Sequence, residues 1–144
     1  MLARVSEADL AVQLELAGAP IAAVGTRRIE LTVPDALLLA WLALEGPTPR
    51  ERIAALLRPG SDADAARNAL RQRLFRLRRQ LGADVVSGGT VLALAPRVGH
   101  DLGPDPGRDP GPDAAPAPAL LGTLQAPEWP ELDAWLGARR EAAR

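Results

Sequence analysis

Residues 12–16 alternate in character: Val12, Leu14 and Leu16 are apolar, Gln13 and Glu15 polar. A period of two predicts a strand with one face buried. Gly18, Ala19 and Pro20 interrupt it, residues 21–24 predict a second short strand, and Gly25-Thr26 a turn. Residues 28–32, with Ile29 and Leu31 facing inward, predict a third, so the chain opens as a small antiparallel sheet. From Asp35 to Glu45 the pattern becomes helical, and Leu37, Leu38, Trp41 and Leu44 leave so little polar surface that this helix is expected to be buried. Gly46 stops it. Thr48-Pro49-Arg50-Glu51 predicts a capping box for a second helix, with Thr48 accepting from the backbone and Glu51 reaching back. Ile53, Leu56 and Leu57 form that helix's buried stripe, and Pro59-Gly60 end it.

A third helix is predicted from Ser61, with Asp64 as a further cap, to Gly82. At ~100° per residue, Ala63, Ala66, Leu70, Leu74, Leu77 and Leu81 fall on one stripe. Arg67, Asn68, Arg71, Gln72, Phe75 and Arg79 project from the other side. Residues 84–87 and 90–95, joined by Gly88-Gly89, predict a β-hairpin. Residues 99–119 hold repeated Pro, Gly, Asp and Ala and read as a flexible linker. Residues 130–143 predict a short helix with Leu132, Trp135 and Leu136 on one face. Such a helix is marginal alone and needs a surface to cover: it either folds back on the preceding domain, the preferred reading, or pairs with a second copy.

Composition narrows the classes. The 144 residues contain no cysteine and one histidine, His100, which excludes disulfides and a multi-histidine metal site within one chain. Arg4, Glu7 and Asp9 interrupt any secretory segment in residues 1–11, and the apolar run 36–44 is shorter than the ~20 residues needed to cross a bilayer, so a soluble cytoplasmic protein is expected, with no membrane partner. The net charge of −1 conceals a division. Residues 50–81 carry nine arginines against Glu51, Asp62 and Asp64, a balance of +6, whereas residues 99–135 carry seven carboxylates against Arg108, a balance of −6. The first segment suits an anionic partner.

Enzyme readings are weak. A Ser–His arrangement would need His100, which reads as solvated or locally bonded, and Gly88-Gly89-Thr90 lacks the spacing and lysine of a phosphate loop. Asp105, Asp109 and Asp113 read as solubilising charges. No catalytic residue, metal, cofactor or small-molecule substrate is expected. The arginine- and amide-rich helix has a clearer use. A helix fits the major groove, where arginine reads guanine and amides read adenine, while flanking arginines reach phosphates; Arg73, Arg76, Arg78 and Arg79 are the candidates. Such a helix face is otherwise simply solvated, and Phe75 alone reads first as packed against a neighbouring element and second as a contact for a thymine methyl.

Capped helix, tight turn, arginine helix and Gly-Gly hairpin together predict an α+β winged helix-turn-helix. The stretch from Arg50 to Leu57, then Pro59, then residues 62–82 (DADAARNALRQRLFRLRRQLG) resembles the DNA-binding domain of SARP-type bacterial transcriptional activators, of the OmpR/PhoB-type winged helices. Residues 85–96, followed by Val98-Gly99-His100-Asp101, are similar to the wing segment. Residues 120–122 and 128–144 resemble the start of the bacterial transcriptional activation domain. The resemblance implies a winged-helix domain at 11–98, a linker at 99–119 and a helical tail at 120–144, with a four-stranded N-terminal sheet. It implies sequence-specific binding to promoter double-stranded DNA and activation of transcription, with RNA polymerase as a second partner. It carries the recognition role to Arg67, Asn68, Arg71, Gln72, Phe75 and Arg79. Arg58 stands where the family has tryptophan, and the tip at Ser87–Thr90 has no basic residue, which leaves Arg97 as the nearest substitute. The alternative is a winged helix that binds another protein rather than DNA, using Phe75 and Trp135.

Overall fold

The computed structural model describes residues 12–102 and 120–142. The alternating N-terminal residues form β1 (Val12–Glu15), β2 (Ile21–Val24) and β3 (Arg27–Glu30), paired antiparallel in that order, with Val12, Leu14 and Leu16 buried. There follow α1 (Val33–Glu45), β4 (Thr48–Pro49), α2 (Arg50–Leu57), α3 (Ala63–Leu81), β5 (Val86–Ser87), β6 (Val91–Leu94), β7 (Val98–His100) and α4 (Pro130–Ala142). The described residues thus make a mixed α+β fold of four helices and two small sheets.

The N-terminal sheet has the order β3-β2-β1-β7. Its fourth strand comes from beyond the hairpin, running parallel to β1 with Val98 opposite Val12 and His100 opposite Leu14. Gly99 and His100, expected in the linker, therefore belong to the sheet. The Asp101 carboxylate fastens its end by accepting from the Leu16 and Ala17 N–H groups at 2.8 and 3.0 Å. His100 is locally bonded, its Nδ1 accepting from the Leu102 N–H at 3.2 Å. The expectations for residues 1–11 and for the greater part of the linker lie outside the described residues.

The second sheet, β4-β6-β5, corrects the expected start of α2. Thr48 and Pro49 are held extended opposite Leu92 and Val91, and Pro49 is the N-cap, with no side-chain bond to the helix. The Thr48 hydroxyl turns inward instead, accepting from Trp41 Nε1 at 3.0 Å and donating to the Gly46 carbonyl at 2.9 Å. The capping box therefore does not form: the helix starts one residue after Pro49, and the Thr48 hydroxyl is already engaged by Trp41 and Gly46. The hairpin itself forms as expected, with Val86 opposite Leu94 and Ser87 opposite Ala93. Gly88 is required there: at φ +114° a Cβ would lie 1.9 Å from the Val91 carbonyl oxygen.

The cap of α3 falls one residue later than the expected start at Ser61, and the helix itself begins at Ala63. Asp62 is its N-cap, accepting from the Ala65 N–H at 2.7 Å, while Asp64 pairs with Arg67. Gly82, at φ 72°, ends it in the left-handed conformation, and Arg27 reaches across from β3 to donate to the Leu81 carbonyl at 2.7 Å. Of the leucine stripe, Ala66, Leu70, Leu77 and Leu81 are buried and Leu74 half-buried; Ala63, in the first turn, lies beyond the core and is exposed.

α1 joins both halves of the core. Leu37 and Leu39 pack with the N-terminal sheet and the end of α3, and Leu38 and Leu42 pack with Ile53, Leu70 and Leu92. The tail folds back into this core. Leu120, Leu121, Leu132 and Leu136 are buried among Leu14, Leu16, Leu37 and Leu81. Leu121 N–H donates to the Leu16 carbonyl at 2.7 Å, Trp129 Nε1 to the Leu57 carbonyl at 2.9 Å, and the Trp135 ring lies 5.1 Å from that of Trp41. Glu45 receives Arg139 at 2.8 Å and Trp135 Nε1 at 2.7 Å. The bond from Arg139, then that from Trp135, holds the Glu45 carboxyl below its ordinary pKa, against a smaller opposing effect of burial.

A carboxyl lowered in this way contributes stability above its unfolded pKa and loses it as pH falls through the folded one. Acidification downward from about pH 4.3, the ordinary glutamate value, should therefore loosen the seat of α4, seen as a change in tryptophan fluorescence. Glu45→Gln should flatten that part of the profile; an identical profile in the variant would contradict this role.

Candidate nucleic-acid interface

On α3 the leucines turn one side inward, and the residues between them are left outside. Taking Arg71 as zero and ~100° per residue, Arg71, Phe75, Asn68, Arg79, Gln72 and Arg76 follow one another around about 140° of the helix. All six are exposed, opposite the buried stripe. At ~1.5 Å per residue the 19-residue helix is about 28 Å long, and the face from Asn68 to Arg79 occupies about 17 Å of it.

Ion pairs divide the arginines by position on the helix. Those at the margins of the face are engaged with carboxylates: Arg67 with Asp64 and, at 3.5 Å, Glu51; Arg78 with Asp84 at 3.0 Å; Arg73 with Asp35 at 3.2 Å. Those within the face, Arg71, Arg76 and Arg79, have no carboxylate partner among the described residues. Arg71 donates to the Asn68 side-chain oxygen at 2.9 Å, Arg76 Nε to the Gln72 carbonyl at 3.4 Å, and the Arg79 guanidinium lies over the Phe75 ring, 5.8 Å from its centroid. Arg71, Gln72, Phe75 and Arg76 border an open depression of about 460 Å³.

The nine sequence-predicted residues therefore do not stand alike. Asn68, Arg71, Gln72, Phe75, Arg76 and Arg79 form one continuous surface. Arg67 and Arg78 flank it in exposed ion pairs that an incoming phosphate can exchange at small cost. Arg97 lies in the turn after β6, at the end of the hairpin away from its Gly88–Thr90 tip, and so does not replace the missing basic residue there. Arg73, expected to meet phosphate, is turned toward the body of the fold by Asp35, which is 5% exposed. Phe75, whose first reading was packing against a neighbour, is 60% exposed.

Sequence reasoning missed Asp35. A carboxylate within the nearly continuous apolar run of α1 was the available signal, since a buried carboxylate requires a cation or donors. It also missed Arg27, whose bond to Leu81 holds the C-terminal end of α3. Nothing in the pattern around Arg27 marks it, because its partner is 54 residues away.

Among the described residues, no group of three His, Cys, Asp or Glu side chains could hold a metal ion, and no helix is long and apolar enough to cross a membrane. No family model, curated protein or solved structure matches this chain.

Proposed function

We propose that this chain is a winged-helix transcription regulator of the SARP type that binds promoter double-stranded DNA, with α3 in the major groove and the β5–β6 hairpin as its wing. The observation that carries this reading is the outer face of α3, where Arg71, Arg76 and Arg79 surround Asn68 and Gln72 without a neutralising carboxylate among the described residues. Guanidinium and amide groups on one helix face are the chemistry that reads guanine and adenine in that groove. The three-stranded sheet β4-β6-β5 supports it, since Leu92 of the hairpin packs in one cluster with Ile53 of α2 and Leu70 of α3. RNA polymerase is the partner that activation would require.

Selection of bound duplexes from a random library, followed by titration of the best one, tests the reading. Arg71→Ala should weaken binding by ~1–3 kcal/mol and relax the preference at one base pair. Raising the salt should weaken binding with a log–log slope of about 0.9 per phosphate neutralised. Equal binding by Arg71→Ala and the parent chain, or a flat salt dependence, would reject this placement. The exposed Phe75 favours a second reading, a protein-binding winged helix. That reading predicts no bound duplex and a partner whose affinity falls in Phe75→Ala but changes little in Arg71→Ala.

A further inference from the structure

We propose that Phe75 reads sequence, its ring packing against the C5-methyl group of a thymine in the major groove. The inference rests on the DNA-binding reading above and assigns a particular group on the DNA to a particular side chain.

Position carries the argument. Phe75 and Val91 are the large apolar side chains exposed among the described residues, and Phe75 is the more exposed, at 60%. At ~100° per residue it lies within about 30° of the line pointing directly away from the core, between Arg71 on one side and Asn68 and Arg79 on the other. A groove that accepts those side chains must also accept the ring between them. The ring is held in place: Arg79 covers it at 5.8 Å. Beside it lies the open depression of about 460 Å³ shared with Arg71, Gln72 and Arg76, room enough for the edge of a base.

Charge selects the occupant. Whatever covers Phe75 must also lie against Arg71, Arg76 and Arg79. A second copy of this chain bringing the same face would set these arginines against themselves, so a symmetric dimer through α3 is disfavoured. DNA satisfies both demands, since its phosphates neutralise the arginines and the thymine methyl is the apolar group that an unmodified major groove presents.

Deoxyuridine lacks only that methyl group, which makes the test direct. In the best duplex from the selection, each thymine is replaced in turn by uracil, and affinity is measured by fluorescence anisotropy with the full chain and with Phe75→Ala. At one or two positions uracil should weaken binding by the parent chain about fourfold, the worth of about one buried methyl group. At the same positions Phe75→Ala should bind thymine and uracil equally. Thermal melting of the variant should match the parent, as the ring is largely exposed; Phe75→Leu, which keeps an apolar side chain, should retain part of the thymine preference. Replacing cytosines by 5-methylcytosine forms the second arm. A gain there with no loss at any uracil would overturn the thymine assignment in favour of methylated cytosine. Uracil-insensitive binding, or an equal loss in Phe75→Ala, overturns this inference while leaving DNA binding intact. Failure to recover any bound duplex overturns both.

Discussion

Leu136→Ala is expected to lower the unfolding free energy of the whole chain, not of the tail alone, by about 3–4 kcal/mol. Leu136 is fully buried in a cluster that includes Leu14 and Leu16 of the sheet region, Leu37 of α1 and Leu81 of α3. Truncating a leucine at such a place removes its own transfer free energy and leaves a cavity, and the measured range for this change is about 2–5 kcal/mol. A tail merely tethered by a linker would instead melt in its own transition and leave the domain unaffected. Urea unfolding distinguishes the two. Far-UV circular dichroism reports the helices and sheet, and fluorescence reports Trp41, Trp129 and Trp135. The two probes should move together to lower urea in Leu136→Ala, as one cooperative transition requires. A fluorescence change that precedes the circular dichroism change would show a separately melting tail. Trp135→Ala follows the same logic and should also destabilise the whole chain, because its ring packs on Trp41 and its N–H on Glu45.

Arg73→Ala is expected to cost about 2–3 kcal/mol of stability, more than any other arginine-to-alanine change on α3. Its partner Asp35 is 5% exposed, so removing the guanidinium strands a carboxylate away from water. For fully buried pairs that penalty is about 3–5 kcal/mol; it is less here because Arg73 itself is 27% exposed and water can enter the gap. Asp35→Leu with Arg73→Met should recover most of the loss, since a matched apolar pair leaves no charge behind. Urea denaturation of the two single variants and the double variant provides the cycle. Additive losses would mean that the pair is not coupled across α1 and α3. Because Arg73 points away from the outer face, Arg73→Ala should leave affinity for DNA close to that of the parent once folding is allowed for. Arg71→Ala, on the outer face, should do the reverse.

These two residues lie two positions apart and carry the same side chain, and their contrast marks where sequence reading stops. Helical periodicity alone separates a leucine stripe from an arginine face, and on that basis α3, its outer surface and the tight turn before it were all legible. So were the first three strands, the buried α1 and the Gly-Gly hairpin, because each depends on a pattern within a few residues: alternation at 12–16, apolar crowding at 36–44, and a Gly-Gly pair whose first member, Gly88, has a backbone that a side chain would obstruct. The apolar face of the tail helix likewise announced that something had to cover it.

What the tertiary structure decided are the partners that lie far apart in the chain. Thr48 carries every local sign of a helix cap, yet β6 claims its backbone and Trp41 its hydroxyl. Gly99 and His100 have the composition of a linker, yet β1 offers them an open edge, and a ladder needs only backbone groups, which composition does not report. Periodicity sets Arg73 beside the leucine stripe and Arg71 on the outer face, but only the arrival of Asp35 from 38 residues earlier makes Arg73 a structural anchor. Local patterns determine which side of a helix or strand faces inward, because burial follows periodicity. Which polar group meets which is determined by the packing of whole elements, because a hydrogen bond or an ion pair depends on a separation of about 3 Å that no local pattern encodes.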